Sequence, residues 1–293
     1  TNVATVENFS ANIVSDSGIE VSLDGQNWYS SLTPALIQTY INGKYGENNF
    51  SFNHVTSPNG IAFNTLGTSS LPAAGPSDWL QIRVFFRSAN IAKIAWTGAS
   101  LLGDAVQWTS DTTFTNSAGT LVSGGDQVLV NPANAMRISV NSPSDGDALV
   151  YELPSGTGSG AFNTYLGDGT GANFYNGGLG APGAMSYYKA KTNTLPFGAN
   201  DGDPIPTIAP TVTDLLFDVE EGEEEYYVFN LQDLTSAEFK ITIGTIEYTI
   251  GTQFGGYIYI NVWFEGYDAE AYNSLFAKQV TVGLVFRGYP IQD

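Results

Sequence analysis

The sequence predicts an all-β fold: an antiparallel two-sheet jelly-roll-like sandwich with one or two short helices and a large glycine-rich loop insertion. Three observations carry this expectation. Apolar residues recur at every second position through most of the chain, helix signals are confined to two short stretches, and one long segment is too rich in glycine to build a core. A period of two puts one side of a strand in a core and the other in water.

The elements follow in chain order. In "GIEVSLDGQNWYSSL", Ile19, Val21 and Leu23 share a face, and Asp24-Gly25 offers the positive φ of a tight hairpin turn. "TPALIQTYING" reads as a helix with Thr33 as N-cap, Pro34 at its first position, apolar Leu36, Ile37, Tyr40 and Ile41, and Gly43 as its stop. In "WLQIRVFFRS", Leu80, Ile82, Val84 and Phe86 oppose Gln81, Arg83 and Arg87.

The segment 155–206 holds 12 of the 33 glycines; it gains little by burial and loses much backbone entropy, so it reads as a loop insertion. Near the end, Ile258, Ile260, Val262 and Phe264 alternate with Tyr257, Tyr259, Asn261 and Trp263. Val280, Val282, Leu284 and Phe286 repeat the pattern, so the two runs are expected to be neighbouring long strands. "AEAYNSLFA" between them is the second candidate helix. Residues 1–14 are expected to be an amino-terminal strand segment and 15–293 a single domain carrying the insertion.

Composition narrows the function classes. Twenty-nine acidic against 10 basic residues give a formal charge of −19, which repels nucleic acid and anionic lipid. No cysteine is present, so disulfides and thiolate metal sites are out. No apolar run reaches the roughly 18 residues of a membrane-spanning helix. A start at Thr1 without an initiator Met, with few lysines and much Asn, Thr and Gly, leads us to expect an exported, processed, extracellular protein.

Several stretches invite chemistry. Glu265, Asp268 and Glu270 could supply a glycosidase carboxylate pair, but a solvated turn explains them as well, since ions resist burial. Glu220, Glu221, Glu223, Glu224 and Glu225 crowd one loop. Asn200, Asp201 and Asp203, with Asp168, form oxygen-rich turns that calcium favours, though neither stretch completes an EF-hand pattern. His54 is the lone histidine and has no nucleophile elbow to serve. No catalytic residue and no cofactor is expected. Tyr257, Tyr259 and Trp263 form a row that either binds carbohydrate or lies under a second sheet. Asn8 and Asn49 match the N-glycosylation pattern.

The opening "TNVATVENFSANIV" is strand-like, with Val3, Phe9, Ala11 and Ile13 on one parity and Ala4 and Val6 on the other. Such a terminus either closes its own sheet or adds to the open edge of another copy. Addition to a neighbour makes a head-to-tail contact that does not close.

"FSANIVSDSGIEVSLDG" near the start and "INVWFEGYDAEAYNSLFAKQVTVGLVF" near the end together resemble the TasA/camelysin-type secreted proteins of Gram-positive bacteria. The resemblance implies a jelly-roll subunit of extracellular fibres or biofilm matrix, joined by donation of the amino-terminal strand. It further implies that Val3, Ala4, Val6 and Phe9 fill a neighbour's groove. An adhesin or carbohydrate-binding sandwich is the alternative; a β-sandwich glycosidase or lyase and a viral jelly-roll protein stand behind it.

Overall fold

The computed structural model describes residues 4–14, 18–47, 50, 52–66, 74–75, 77–90, 92–115, 121–143, 148–153, 190–193, 209, 211–212, 214–215, 228–233, 240–243, 245–249, 251, 254–266 and 278–290. In chain order these form β1 (Ala4–Val14), β2 (Glu20–Ser22), helix α1 (Pro34–Tyr45), β3 (His54–Thr56), β4 (Asn64–Thr65), β5 (Leu80–Ser88), β6 (Ala92–Gly103), β7 (Val106–Thr109), β8 (Phe114–Thr115) and β9 (Leu121–Val122). They continue as β10 (Gln127–Val130), a 3-10 turn at Pro132–Ala135, β11 (Met136–Asn141), β12 (Leu149–Tyr151), β13 (Val228–Asn230), β14 (Gln232–Asp233), β15 (Lys240–Ile243), β16 (Ile246–Thr249), β17 (Phe254–Glu265) and β18 (Lys278–Pro290). Among the described residues the elements are strands apart from α1, that turn and a helical stretch at 190–192. Most of the segment 155–206, the acidic run 220–225 and the second candidate helix lie outside the described residues.

Two sheets carry the fold. The smaller has the order β1-β18-β6-β13. The larger has eight strands: β12-β11-β17-β3-β4, with β5 and β14 also on β17 and β2 on β5. One buried cluster joins their facing sides: Ile94, Trp96, Val280, Val282, Leu284 and Phe286 from the smaller meet Leu80, Ile82, Val84, Phe86, Ile138, Ile258 and Ile260 from the larger. Phe86 and Phe286 touch across the gap edge to face, with ring centroids 5.9 Å apart.

The anticipated helix and the β5 alternation are present. Thr33 caps α1 through Oγ1, which accepts from Leu36 N at 3.4 Å. The helix passes through Gly43 and stops at Gly46, whose φ of 88° only glycine adopts at little cost.

Four expectations need correction. The ladders are not all antiparallel, because β1 runs parallel to β18 and β3 parallel to β17. β17 and β18 are not neighbours; they lie in different sheets, β17 beside β5 and β11 and β18 beside β6, and their apolar rows meet across the core instead of side by side. The turn at Asp24-Gly25 is wider than a two-residue hairpin: Val21 and Tyr29 exchange backbone bonds of 2.8 and 2.9 Å, and Asp24 Oδ1 between them accepts from Gln26 N and Asn27 N. The outer face of the larger sheet is the fourth. It is not all solvated, because Phe63, stacked on Trp79 at 3.9 Å, and Ala209 pack over Trp263, Val55 and Val150.

That covered face is polar as well as apolar. Gly60 O accepts from Ser139 Oγ at 2.6 Å and from Asn261 Nδ2 at 3.2 Å, and Gln81 Nε2 donates to Asn261 Oδ1 at 3.1 Å. Beside it, Arg137 and Glu152 form an ion pair of 2.8 Å with side chains only 1% and 0% exposed. These bonds satisfy groups that would otherwise be costly to bury.

Candidate functional site: the amino-terminal strand and its slot

β1 is the outermost strand of the smaller sheet, and β18 is its sheet partner. No hairpin links the two, for they come from opposite ends of the sequence. A parallel pair cannot be closed by a short turn. β1 also lies close to α1.

The register is informative. Ala4, Thr5 and Val6 pair with Lys278, Gln279 and Val280; then Glu7 is left out, and Asn8, Phe9, Ala11 and Ile13 pair with Thr281, Val282, Leu284 and Phe286. A bulge of one residue reverses the parity of everything before it. Val6 and Phe9 are three positions apart and would fall on opposite faces of a regular strand. The bulge brings Val6, Phe9, Ala11 and Ile13 opposite Val280, Val282, Leu284 and Phe286, every one of which faces the core. Phe9 itself is only 3% exposed and belongs to the main core.

Of the anticipated interface residues, Ala4, Val6 and Phe9 thus lie on β1 in one ladder with β18, and Val3 lies outside the described residues. Asn8 sits next to the bulge on β1; Asn49 is outside the described residues. In the single chain the strand is seated on its own subunit.

The other candidates separate. Glu265 is not in a solvated turn: it is 0% exposed at the end of β17, and Trp263 Nε1 donates to its Oε2 at 3.2 Å. Burial is tolerated there because the indole supplies a donor, Val55 lies beside Glu265 as its parallel ladder partner and Phe63 packs on Trp263. Asp268, Glu270 and all the oxygen-rich turns lie outside the described residues. Among the described residues no group of three or more His, Asp or Glu could hold a metal ion. Trp263, at 1% exposure, leaves the aromatic row and joins the interior, while Tyr257 and Tyr259 remain half-buried. His54 packs on Phe264 with ring centroids 5.3 Å apart, and burial lowers it to about 4.

Sequence reasoning missed the Glu7 bulge and a cluster of Lys44, Arg83 and Tyr248. The bulge leaves one trace in the sequence, an apolar parity that changes between Val6 and Phe9. No helix among the described residues is long and apolar enough to cross a membrane. No protein-family model, no curated protein and no solved structure matches the chain.

Proposed function

We propose that this chain is a secreted, non-enzymatic structural subunit, a jelly-roll-like sandwich that polymerises into extracellular filaments by exchanging β1 between copies. The observation that carries the reading is the position of β1: an edge strand, paired in parallel to the far end of the chain, with an apolar row in register with the core face of β18. A strand so attached can leave its slot without breaking the ladder between β18 and β6. The likeness of the two ends of the chain to TasA/camelysin-type fibre proteins supports the same reading.

Exchange obeys simple energetics. The closed subunit and the exchanged junction make the same contacts, so the ladder and the Phe9 burial favour neither. The balance lies in the connection from β1 to the rest of the subunit, which differs between the two arrangements. A short covalent connection holds its own strand at an effective concentration on the order of millimolar, so a subunit that folds alone tends to close. Filaments therefore form when subunits fold at high local concentration, as they do while being exported. Once made, a junction is long-lived: releasing it breaks a row of main-chain hydrogen bonds worth about 0.5–1.5 kcal/mol each and exposes Phe9 at roughly 1.5–3 kcal/mol.

Refolding the chain at high concentration with an excess of a synthetic peptide of residues 1–14 tests the reading. The peptide is expected to occupy β18 and shorten or abolish filaments seen by electron microscopy. Filaments of unchanged length at saturating peptide would contradict it.

A further inference from the structure

The outer face of the larger sheet holds a patch of another character, some way along β17 from the buried Trp263. Arg83 on β5 sits directly opposite Tyr259 on β17, and Phe85 opposite Tyr257. The Arg83 guanidinium lies over the Tyr259 ring at 5.6 Å and over the Tyr248 ring of β16 at 5.7 Å. Tyr257 and Tyr259 meet edge to face at 5.7 Å, and Phe85 is 4.9 Å from Tyr248. From the other side α1 brings Lys44, whose Nζ donates to Gln81 O at 2.9 Å.

Two features of this patch call for a ligand. The first is charge. Arg87, Arg137, Lys191 and Lys240 each have a carboxylate within 2.7–2.9 Å. Among the described residues Arg83 and Lys44 have none, as is also true of Lys93 and Arg287; here two such cations converge on one aromatic patch. Partial burial of its ammonium, and then the like charge of Arg83, lowers Lys44 to about 8. The second is valence. A guanidinium carries five N–H donors, and among the described residues the Arg83 side chain makes one hydrogen bond, a long one of 3.4 Å from Nη1 to the Tyr248 hydroxyl. Its planar fork suits a carboxylate, which takes two parallel bonds.

We propose that this patch binds a carboxylate-bearing saccharide, with the acid group on Arg83 and Lys44 and the sugar against Tyr257, Tyr259 and Tyr248. An acidic peptide is the weaker candidate, because peptides commonly add to a free strand edge. The edge of β5 here is already covered: Tyr45 Oη accepts from Gln81 N at 3.3 Å and donates to Trp79 O at 3.4 Å, and Lys44 takes Gln81 O. The site is independent of strand exchange.

Titration calorimetry on the monomer with a tetramer of galacturonic acid tests the assignment, alongside a neutral glucose tetramer, a tetraglutamate peptide and acetate. The acidic sugar is expected to bind, with affinity falling about tenfold or more in Arg83→Gln, as for the loss of a charged hydrogen-bonded pair, and several-fold in Lys44→Ala. Lys44 lies on the exposed side of α1, so its variant reports even if Arg83→Gln folds poorly. No binding of the acidic tetramer, or equal binding by Lys44→Ala, would overturn the proposal. Equal affinity for tetraglutamate or acetate would overturn the saccharide assignment.

Discussion

His54 and the Arg137–Glu152 pair show how burial turns single side chains into measurable terms. Burial lowers His54 to about 4 from an ordinary 6.5, so between those values the unfolded chain binds more protons than the folded one. Its contribution is intact above about pH 6.5 and is lost as pH falls toward 4. His54→Gln should therefore lose less stability than the parent over that interval, read as the difference between their thermal midpoints at each pH. For the ion pair, Glu152→Gln leaves a buried guanidinium short of its counter-charge and is expected to cost about 3–5 kcal/mol by urea denaturation. Arg137→Met together with Glu152→Leu should recover most of that loss. Gly60 is a third such position. Its φ is +75°, and a Cβ there would stand 2.7 Å from Val150 Cγ2 and 2.9 Å from Ser139 Cβ. Gly60→Ala is expected to destabilise by about 2–4 kcal/mol, combining strained backbone with overpacking.

At the level of elements, α1 does more than cover the core with Ile37 and Ile41. It supplies side chains to the part of the β5 edge that β2, paired only at 85–87, leaves open. Tyr45→Phe removes an acceptor from Gln81 N and is expected to speed amide exchange at Gln81, measured by hydrogen exchange with mass spectrometry; an unchanged rate would mean the edge is protected otherwise. Alternation in β5, β17 and β18 and the Thr33-Pro34 helix start were legible because local pattern and capping chemistry decide them. Which strands share a sheet was not. A period of two fixes a face but not a partner, and β17 and β18 have the same pattern while lying in different sheets. The burial of Glu265 was equally out of reach, since it depends on Phe63 and Val55 arriving from two hundred residues earlier.

For the whole molecule, the proposed exchange of β1 makes the closed monomer and the filament two arrangements of one set of contacts. The −19 charge then keeps finished filaments apart, because like-charged surfaces resist unselective clumping. The absence of cysteine in the sequence makes a decisive test simple. Asn12 and Val285 are register partners across β1 and β18, and paired positions in adjacent strands are close enough for a disulfide. Asn12→Cys with Val285→Cys, assembled into filaments under reducing conditions, then oxidised and run on a non-reducing denaturing gel, reports which chain owns each strand. Strand exchange predicts a ladder of covalently linked subunits. Filaments that yield only internally cross-linked monomer would contradict it.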